Sequence, residues 1–351
     1  MNIADKINEL SDFWEMLENI DKPIVLYGMG NGADKIIDEL NRRNIKISGI
    51  FASDDFVRYQ QFHGFTVKRY DELLSEFGDM IVLVCFGTQR DDVLSNIKKI
   101  MKTARVYAPD VAVVGGGLFT KQYALDNIDE IEKIYDLLYD DISKSTFINI
   151  ISYKITGDVR CLFECENKTA PFELSDDECF MDLGAYKGDT VADFIEKVGG
   201  KYDKIYAVEP DRKNYNKLLQ NISNYDNISA LNVAISREHG EKPFAMNAGR
   251  NSTISDGNKS VIVKTESVDS ILNGNRVSYI KMDVEGEEEN AILGAEKTIA
   301  KHRPKMKIAA YHRFNDILQI PKTVMSLNPD YRLNLRHCPY VPAWDTDYYF
   351  E

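Results

Sequence analysis

The chain has 351 residues, enough for two domains with full cores, and its 44% of hydrophobic residues is ordinary for a globular protein. Its formal net charge of −13 at pH 7 excludes general nucleic-acid binding, which needs a basic surface. No apolar run approaches the roughly 18 residues of a membrane span, and the N-terminus has no signal-peptide pattern. The five cysteines, an odd number, fit a reducing cytoplasm. Cys161 and Cys165 could form a metal pair, but no second Cys/His pair follows at ligand spacing, so no metal is predicted there.

Strands and helices alternate through the first 120 residues, which predicts a parallel sheet with helices on its faces. An amphipathic helix is expected over residues 1–21. The elements that follow are a strand from residue 24, a helix at 33–43, a strand at 45–51, a short helix at 71–76 and a strand at 80–86. We therefore expect a small Rossmann-like domain over residues 1–120.

A glycine turn, Gly28-Met-Gly-Asn-Gly32, follows the first of these strands. Its third glycine does not have the dinucleotide spacing, so the turn is a weak sign of a nucleotide site. The order of elements resembles the N-terminal domain of PglD-type sugar acetyltransferases, a resemblance that implies a nucleotide-sugar ligand. A docking or structural role is the favoured alternative.

A helical bridge is predicted over residues 121–144, between two α/β regions. From about residue 122 to 139 the apolar residues recur at helical spacing, and they are Leu125, Ile128, Ile131, Ile134, Leu137 and Leu138. Helix continues over residues 143–153, and the stretch 156–177 reads as irregular and acidic.

The stretch Cys179–Thr190 is the centre of the second region, which we place at residues 145–351. It reads as a buried strand, a turn with Gly184 and Gly188, and a helix opened by Asp189 and Thr190. A dinucleotide turn leaves room for a pyrophosphate, whereas here the carboxylate of Asp182 is expected in that space. An acidic turn suits a cationic ligand without phosphate, such as S-adenosylmethionine (SAM).

A second strand, residues 205–208, ends at Glu209, about 20 residues past the glycine turn, where an acid accepts both ribose hydroxyls of a nucleoside. Asp211 is expected to cap the next helix. A third strand at 227–234 would place apolar and backbone groups around an adenine. An antiparallel insert follows at 244–263, and its Ser252 is expected to lie over the crevice. The residues predicted to bind the cofactor are Asp182, Gly184, Ala185, Tyr186, Gly188, Asp189, Thr190, Glu209, Pro210, Asp211, Val233, Ala234, Ser252 and Asp283.

Acidic residues follow the fourth strand, residues 277–282, and His312 follows the fifth, residues 305–311. Asp283 and Glu285 are two apart and would face the same side in extended chain. We predict Asp283, Glu285 and His312 as catalytic residues, with His312 the preferred general base and His337 second. Two alternatives stay open: either Glu285 caps the next helix and Asp283 only holds the cofactor, or the two carboxylates hold a divalent metal.

Five motifs in the second region resemble the FkbM family of SAM-dependent methyltransferases. They are Asp182-Leu-Gly-Ala-Tyr-Lys-Gly-Asp189, Val208-Glu-Pro-Asp211, Asn232-Val-Ala234, Ser267-Val-Asp-Ser-Ile-Leu272 and Lys281-Met-Asp-Val-Glu-Gly-Glu-Glu288. The resemblance implies a class I methyltransferase domain with a seven-stranded, mostly parallel sheet closed by an antiparallel pair. It also implies that Asp182, Gly184, Gly188 and Glu209 contact the cofactor and that Asp283 lies near the reacting centre.

The sequence-based hypothesis is a SAM-dependent O-methyltransferase that acts on a hydroxyl of a small molecule, sugar or glycan. No metal, nucleic acid or membrane span is expected, and a homo-oligomer is left open. Two alternatives are an NAD-linked sugar-modifying enzyme that uses the turn at residues 28–32, and a non-catalytic scaffold with a methyltransferase-like fold.

Overall fold

A computed structural model describes residues 3–245, 253–254 and 260–351. The first region contains a four-stranded parallel sheet in the order β2-β1-β5-β6, with helices on its faces. Its elements are α1 (Ile3–Glu9), α2 (Phe13–Glu18), β1 (Ile24–Tyr27), α3 (Asn31–Arg42), β2 (Gly49–Phe51), β3 (Gln61–Phe62), β4 (Phe65–Thr66), α4 (Tyr70–Phe77), β5 (Ile81–Val84), α5 (Asp91–Ile100) and β6 (Arg105–Tyr107). Every residue of β1 and β5 is buried, as expected for parallel strands covered on both faces.

The single helix expected over residues 1–21 is wrong, because α1 ends at Glu9 and a second helix, α2, starts after Asp12. Its carboxylate accepts hydrogen bonds from the backbone N–H groups of Trp14 (3.0 Å) and Glu15 (3.3 Å), so it caps α2. The same carboxylate accepts the N–H of Lys121 at 2.8 Å and thereby ties the N-terminus to the helical bridge.

The bridge also contains a break that periodicity did not predict. The helices of the bridge and of the chain that follows it are α6 (Lys121–Asp126), α7 (Ile128–Leu137), α8 (Asp141–Thr156) and α9 (Val159–Glu164). Asn127 separates α6 from α7 and donates its side-chain N–H to the carbonyl of Tyr123 at 2.8 Å. α9 lies where irregular chain was expected, and Asp158 caps it by accepting the N–H of Arg160 at 2.9 Å.

The second region contains the predicted seven-stranded sheet, in the order β16-β17-β15-β14-β7-β8-β9. Its described elements are β7 (Cys179–Leu183), α10 (Asp189–Lys197), β8 (Lys204–Val208), α11 (Arg212–Asn221), β9 (Ile228–Leu231), β10 (Ala234–Ile235), β11 (Gly240–Ala245), β12 (Thr253–Ile254), β13 (Ser260–Glu266), α12 (Val268–Leu272), β14 (Tyr279–Met282), α13 (Glu288–Leu293), α14 (Glu296–His302), β15 (Lys305–Ala309), α15 (Asp316–Leu327), β16 (Leu333–His337) and β17 (Thr346–Phe350). β9, β8, β7, β14 and β15 run parallel, and β17 is antiparallel to both of its neighbours, so the sheet is mixed.

Two predicted elements of this region are divided in the structure. The strand expected at 227–234 becomes β9 in the large sheet and β10, which pairs with β13 in a separate four-stranded sheet. The helix expected at 287–302 is interrupted at Gly294, where an added Cβ would lie 2.5 Å from the carbonyl oxygen of Ser236. The insert is antiparallel, as predicted, where β11 pairs with β12 and β13.

The two main sheets face each other through loops at the carboxyl ends of their strands. Thr88, just past β5, exchanges backbone hydrogen bonds of 2.8 and 3.0 Å with Val341, between β16 and β17. Val114 donates its N–H to the carbonyl of His312 at 3.0 Å. The largest hydrophobic cluster includes Val25 of the first sheet and Met181 of the second, so the two regions share a core. No helix within the described ranges is long and apolar enough to cross a bilayer.

Candidate active site

A cavity of about 950 Å³ lies at the carboxyl ends of β7, β8, β14 and β15. Eleven predicted site residues line it: Gly184, Tyr186, Asp189, Thr190, Glu209, Pro210, Val233, Ala234, Asp283, Glu285 and His312. Asp182, Ala185, Gly188 and Asp211 are placed nearby but are not among the described residues on its wall. Ser252 lies outside the described residues. The structure therefore brings the three predicted catalytic residues and most of the predicted cofactor residues to one chamber.

The turn after β7 depends on two glycines. Gly184 has a φ of +84°, and an added Cβ would lie 1.9 Å from the carbonyl oxygen of Asp283. Gly188 has a φ of +87° and precedes α10, with Leu218 2.9 Å from the position of an added Cβ. Only glycine fits both the backbone conformation and the space, so this turn can lie directly against β14.

Asp182 lies beneath this turn, fully buried, instead of on the cavity wall. Its Oδ1 is 3.3 Å from Nζ of Lys281, which also donates to the carbonyl of Gly184 at 3.1 Å. Burial opposes a charge on Lys281, but Asp182 and Asp283 raise the pKa of its ammonium above the usual value. The pair therefore ties β7 to β14 under the glycine turn. The site prediction did not include Lys281 as the partner of Asp182. The sequence signal for it was a lysine within a buried strand, because a buried charge needs a counter-ion.

Glu209 reaches the cavity from the end of β8 with both carboxylate oxygens fixed by backbone groups. Oε2 accepts the N–H of Tyr186 at 2.9 Å, and Oε1 accepts the N–H of Asp211 at 2.8 Å. Burial raises the pKa of Glu209 to about 7. Each oxygen keeps a second lone pair, so the carboxylate can accept two hydroxyl groups such as those of a ribose. Asp211 caps α11, as predicted, by accepting the N–H of Asn214 at 2.8 Å.

The apolar end of the cavity is formed by Pro210, Val233 and Ala234. Asn232, which the site prediction omitted, donates both side-chain N–H groups at 2.9 Å, to the carbonyls of Glu209 and Pro210. These bonds hold the segment after β9 against the segment after β8. Apolar side chains of this kind can contact a flat aromatic group such as adenine.

His312 lies in the middle of an acidic cluster at the other end. Its Nε2 is 3.4 Å from Oδ1 of Asp283 and 3.5 Å from Oε2 of Glu285, and its Nδ1 is 2.9 Å from Oε1 of Glu288. The hydroxyl of Tyr311 donates to Asp283 at 3.4 Å. Glu288 was not a predicted site residue, although it belongs to the last quoted motif.

The neighbouring charges and burial shift the pKa values of His312, Asp283 and Glu285 in different directions. Burial favours a neutral imidazole, but Glu288 and then Asp283 raise the pKa of His312 to about 10, so the ring is a cation at neutral pH. Burial opposes ionisation of Asp283, yet Lys281 and His312 lower its pKa. Burial raises the pKa of Glu285 to about 7 despite the opposing charge of His312. Glu285 is thus the member of the predicted triad that titrates near neutral pH.

One atom each from Asp283, Glu288 and His312 lies within 4.8 Å of the others, so these described residues could hold a metal ion. Glu285, named in the metal alternative, is not part of that group. His337, the second histidine candidate, is buried and bonded to Thr346 at 2.9 Å, and burial lowers its pKa to about 4.

The first glycine turn, residues 28–32, is not on the wall of the described cavity. An added Cβ at Gly32 would lie 2.3 Å from the carbonyl oxygen of Cys85, so this glycine allows α3 to pack closely on β5. The close packing of this helix explains why residue 32 is a glycine, and no bound ligand is needed to explain it.

Residues 182–342 match the family model described as the methyltransferase FkbM domain, so the chain contains a domain of this kind. The family implies methyl transfer. This match lies inside the 145–351 region that the motifs indicated. A search of curated proteins gives no match.

The crystal structure of methyltransferase FkbM from Methylobacillus flagellatus KT is similar over 99% of this chain and 97% of its own, with a TM-score of 0.75 and 21% identity. This likeness shows that the fold, including the first region, is shared. An rRNA methylase from Streptococcus thermophilus matches 51% of this chain and 88% of its own, with 14% identity and a TM-score of 0.35. Fibrillarin from Aeropyrum pernix, solved with natively bound SAM, matches 51% of this chain and 70% of its own, with 16% identity and a TM-score of 0.32. The last two scores are too low to support an argument about this chain.

Proposed function

We propose that the chain is a SAM-dependent O-methyltransferase that methylates a hydroxyl of a sugar, glycan or related natural product. One observation carries this proposal. A single chamber has Glu209, a carboxylate that can accept the hydroxyls of a ribose, at one end and the cluster around His312 at the other. A nucleoside cofactor fits the first end, since Glu209 keeps lone pairs for two hydroxyls and Val233 and Ala234 offer an apolar slot.

The cofactor supplies an activated methyl group, so the chain has to align the acceptor and remove a proton. We assign the general base to Glu285, because its pKa of about 7 leaves a useful carboxylate fraction at neutral pH. His312 stays a predicted catalytic residue, and its charge suits it to holding Glu285 and Asp283 in place. Asp283 provides a permanent negative charge in the same cluster.

Four finer expectations belong to this proposal. The division into units at residues 1–120, 121–144 and 145–351 is part of the proposal, and the likeness of the first unit to PglD-type domains stays a prediction. All five cysteines are free thiols, in keeping with a cytoplasmic enzyme. A homo-oligomer is compatible with the proposal and is not needed by it.

Calorimetry with SAM and with its product S-adenosylhomocysteine (SAH) tests the cofactor assignment. Binding of both at micromolar strength is expected. Glu209→Ala removes two charge-assisted hydrogen bonds, so it should weaken both affinities about 100-fold. Glu196→Ala, an exposed acid on α10, is the matched control and should change neither. Unchanged affinity in Glu209→Ala would contradict the site, and absent binding in the intact chain would favour the scaffold alternative.

A further inference from the structure

Beside the cluster around His312, the chamber has a wall built from both regions of the chain. This far wall consists of Gln89, Val113, Tyr340, Trp344 and Asp345. The first two residues belong to loops of the first sheet, outside the match to the FkbM domain. The other three belong to the loop between β16 and β17. The first region thus supplies part of the lining of a methyltransferase chamber.

Backbone contacts hold the two halves of the far wall together. The reciprocal hydrogen bonds between Thr88 and Val341 place Gln89 beside the loop that carries Trp344. Gly87 lies against that indole, because an added Cβ would be 2.2 Å from the ring of Trp344. The position of the wall is therefore built into the packing of the two sheets.

A second attachment brings Val113 to the reacting end. Lys35 of α3 donates to the carbonyls of Ala112 (3.1 Å) and Val113 (2.6 Å). The next residue, Val114, donates its N–H to the carbonyl of His312 at 3.0 Å. Val113 of the far wall is therefore the chain neighbour of Val114, which bonds directly to His312 of the acidic cluster.

The chemistry of the far wall is aromatic and polar. The rings of Tyr340 and Trp344 lie 5.7 Å apart with an interplanar angle of 40°, and both are half-buried. Gln89 and Asp345, which carry an amide and a carboxylate, line the same chamber. Aromatic faces contact the C–H face of a sugar ring, while amide and carboxylate groups bond to its hydroxyls. Binding sites typically combine apolar rings with a few placed polar groups in this way.

We propose that the far wall is the acceptor subsite and that it holds a sugar ring between the indole of Trp344 and the amide of Gln89. This inference rests on the proposed methyl transfer, and it gives the first region a role in acceptor binding. The ring's reacting hydroxyl then faces the cluster of Asp283, Glu285 and His312.

Tryptophan fluorescence tests the subsite, since Trp14 and Trp344 are the two tryptophans in the chain. The Trp14→Phe variant leaves Trp344 as the reporter. This protein, saturated with SAH, is titrated with methyl glycosides of glucose, mannose and rhamnose. Sorbitol is the control, because it carries hydroxyls without a ring face. At least one glycoside should change the emission saturably, and sorbitol should not.

Gln89→Ala, in the same background, should raise the glycoside dissociation constant about five- to tenfold and leave the SAH affinity unchanged. Gln122→Ala removes an amide that bonds to Asp126 on the surface of α6, and it should change neither. If Trp14→Phe does not fold, calorimetric titration of the wild-type protein and the glutamine variants gives the same comparison.

The outcomes separate this proposal from the cofactor assignment. Intact SAH binding with no response to any glycoside overturns the sugar subsite alone. A glycoside affinity that is the same in Gln89→Ala and the parent overturns the role of the first region. Absent SAH binding counts against the methyl transfer on which the inference rests.

Discussion

Glu285 combines a neutral-range pKa with a place on the chamber wall. The charged groups that face it are His312, Asp283, Glu288, Lys281 and Lys35. As pH rises through about 7, Glu285 loses its proton and the cluster gains one negative charge. SAM carries a sulfonium cation and SAH a neutral sulfur, so the two ligands should respond differently to this charge.

We expect the ratio of SAM affinity to SAH affinity to rise about fivefold between pH 6 and pH 8, since even a water-exposed charge pair at about 4 Å gains about 1 kcal/mol. Calorimetry across this pH range measures the ratio without any acceptor. Glu285→Gln should flatten the dependence. The same pH dependence in wild type and Glu285→Gln would argue that another group titrates.

Gly184 provides a second prediction at the residue scale. Gly184→Ala places a Cβ against the carbonyl of Asp283 and strains a positive φ, so it should destabilise the fold by about 3 kcal/mol. Gly199→Ala is the control, because its φ is +63° and nothing lies within 4 Å of an added Cβ. That change should cost about 1 kcal/mol. Urea unfolding compares the two, and equal losses would mean that the approach to β14 does not matter.

At the scale of elements, the segment after β6 connects α3 to the end of β15. Lys35 holds two carbonyls of this segment, and burial lowers its pKa although Glu285 opposes the shift. The lysine therefore helps to keep the first sheet against the acidic cluster around His312.

Lys35→Met should lower the free energy of unfolding by about 1–2 kcal/mol, because both carbonyls lose a charged donor. Lys46→Met changes an exposed lysine of the same region and should have no effect within error. Chemical denaturation measures both variants. If Lys35→Met leaves the free energy of unfolding unchanged, other contacts hold the segment.

Local signals were sufficient to predict the strand–turn–helix at Cys179–Thr190 and the cap at Asp211. The breaks at Asp12 and Gly294 also have local signals, a capping acid and a glycine, which the apolar periodicity outweighed. The division of the third strand could not be read locally, because β10 pairs with β13, about thirty residues further along.

Properties of the site that depend on residues far apart in the chain could not be predicted from the sequence either. Asp182 is buried because Lys281, almost a hundred residues later, pairs with it. The charge on His312 depends on the burial of Glu288 beside it. Gln89 reaches the chamber only because two sheets meet at their carboxyl ends.

At the scale of the whole molecule, the shared core predicts cooperative unfolding. Val25 and Met181 belong to one cluster, although they lie in different sheets. Trp14→Phe and Trp344→Phe each leave one tryptophan, in the second and first region respectively. In each variant the fluorescence midpoint should coincide with the far-UV circular dichroism midpoint.

SAH at 100 times its dissociation constant should stabilise both regions by about 2.7 kcal/mol. Separate midpoints would show that the regions unfold independently.

The reciprocal bonds between Thr88 and Val341 use only backbone atoms. The side chain of Gln89, next to Thr88, can therefore change while these two bonds remain. A library randomised at Gln89, Val113, Tyr340 and Trp344 would vary the wall while leaving Glu209 and the groups around His312 untouched. Acceptor choice could then be retuned in the laboratory, or diverge in nature, independently of the methyl chemistry.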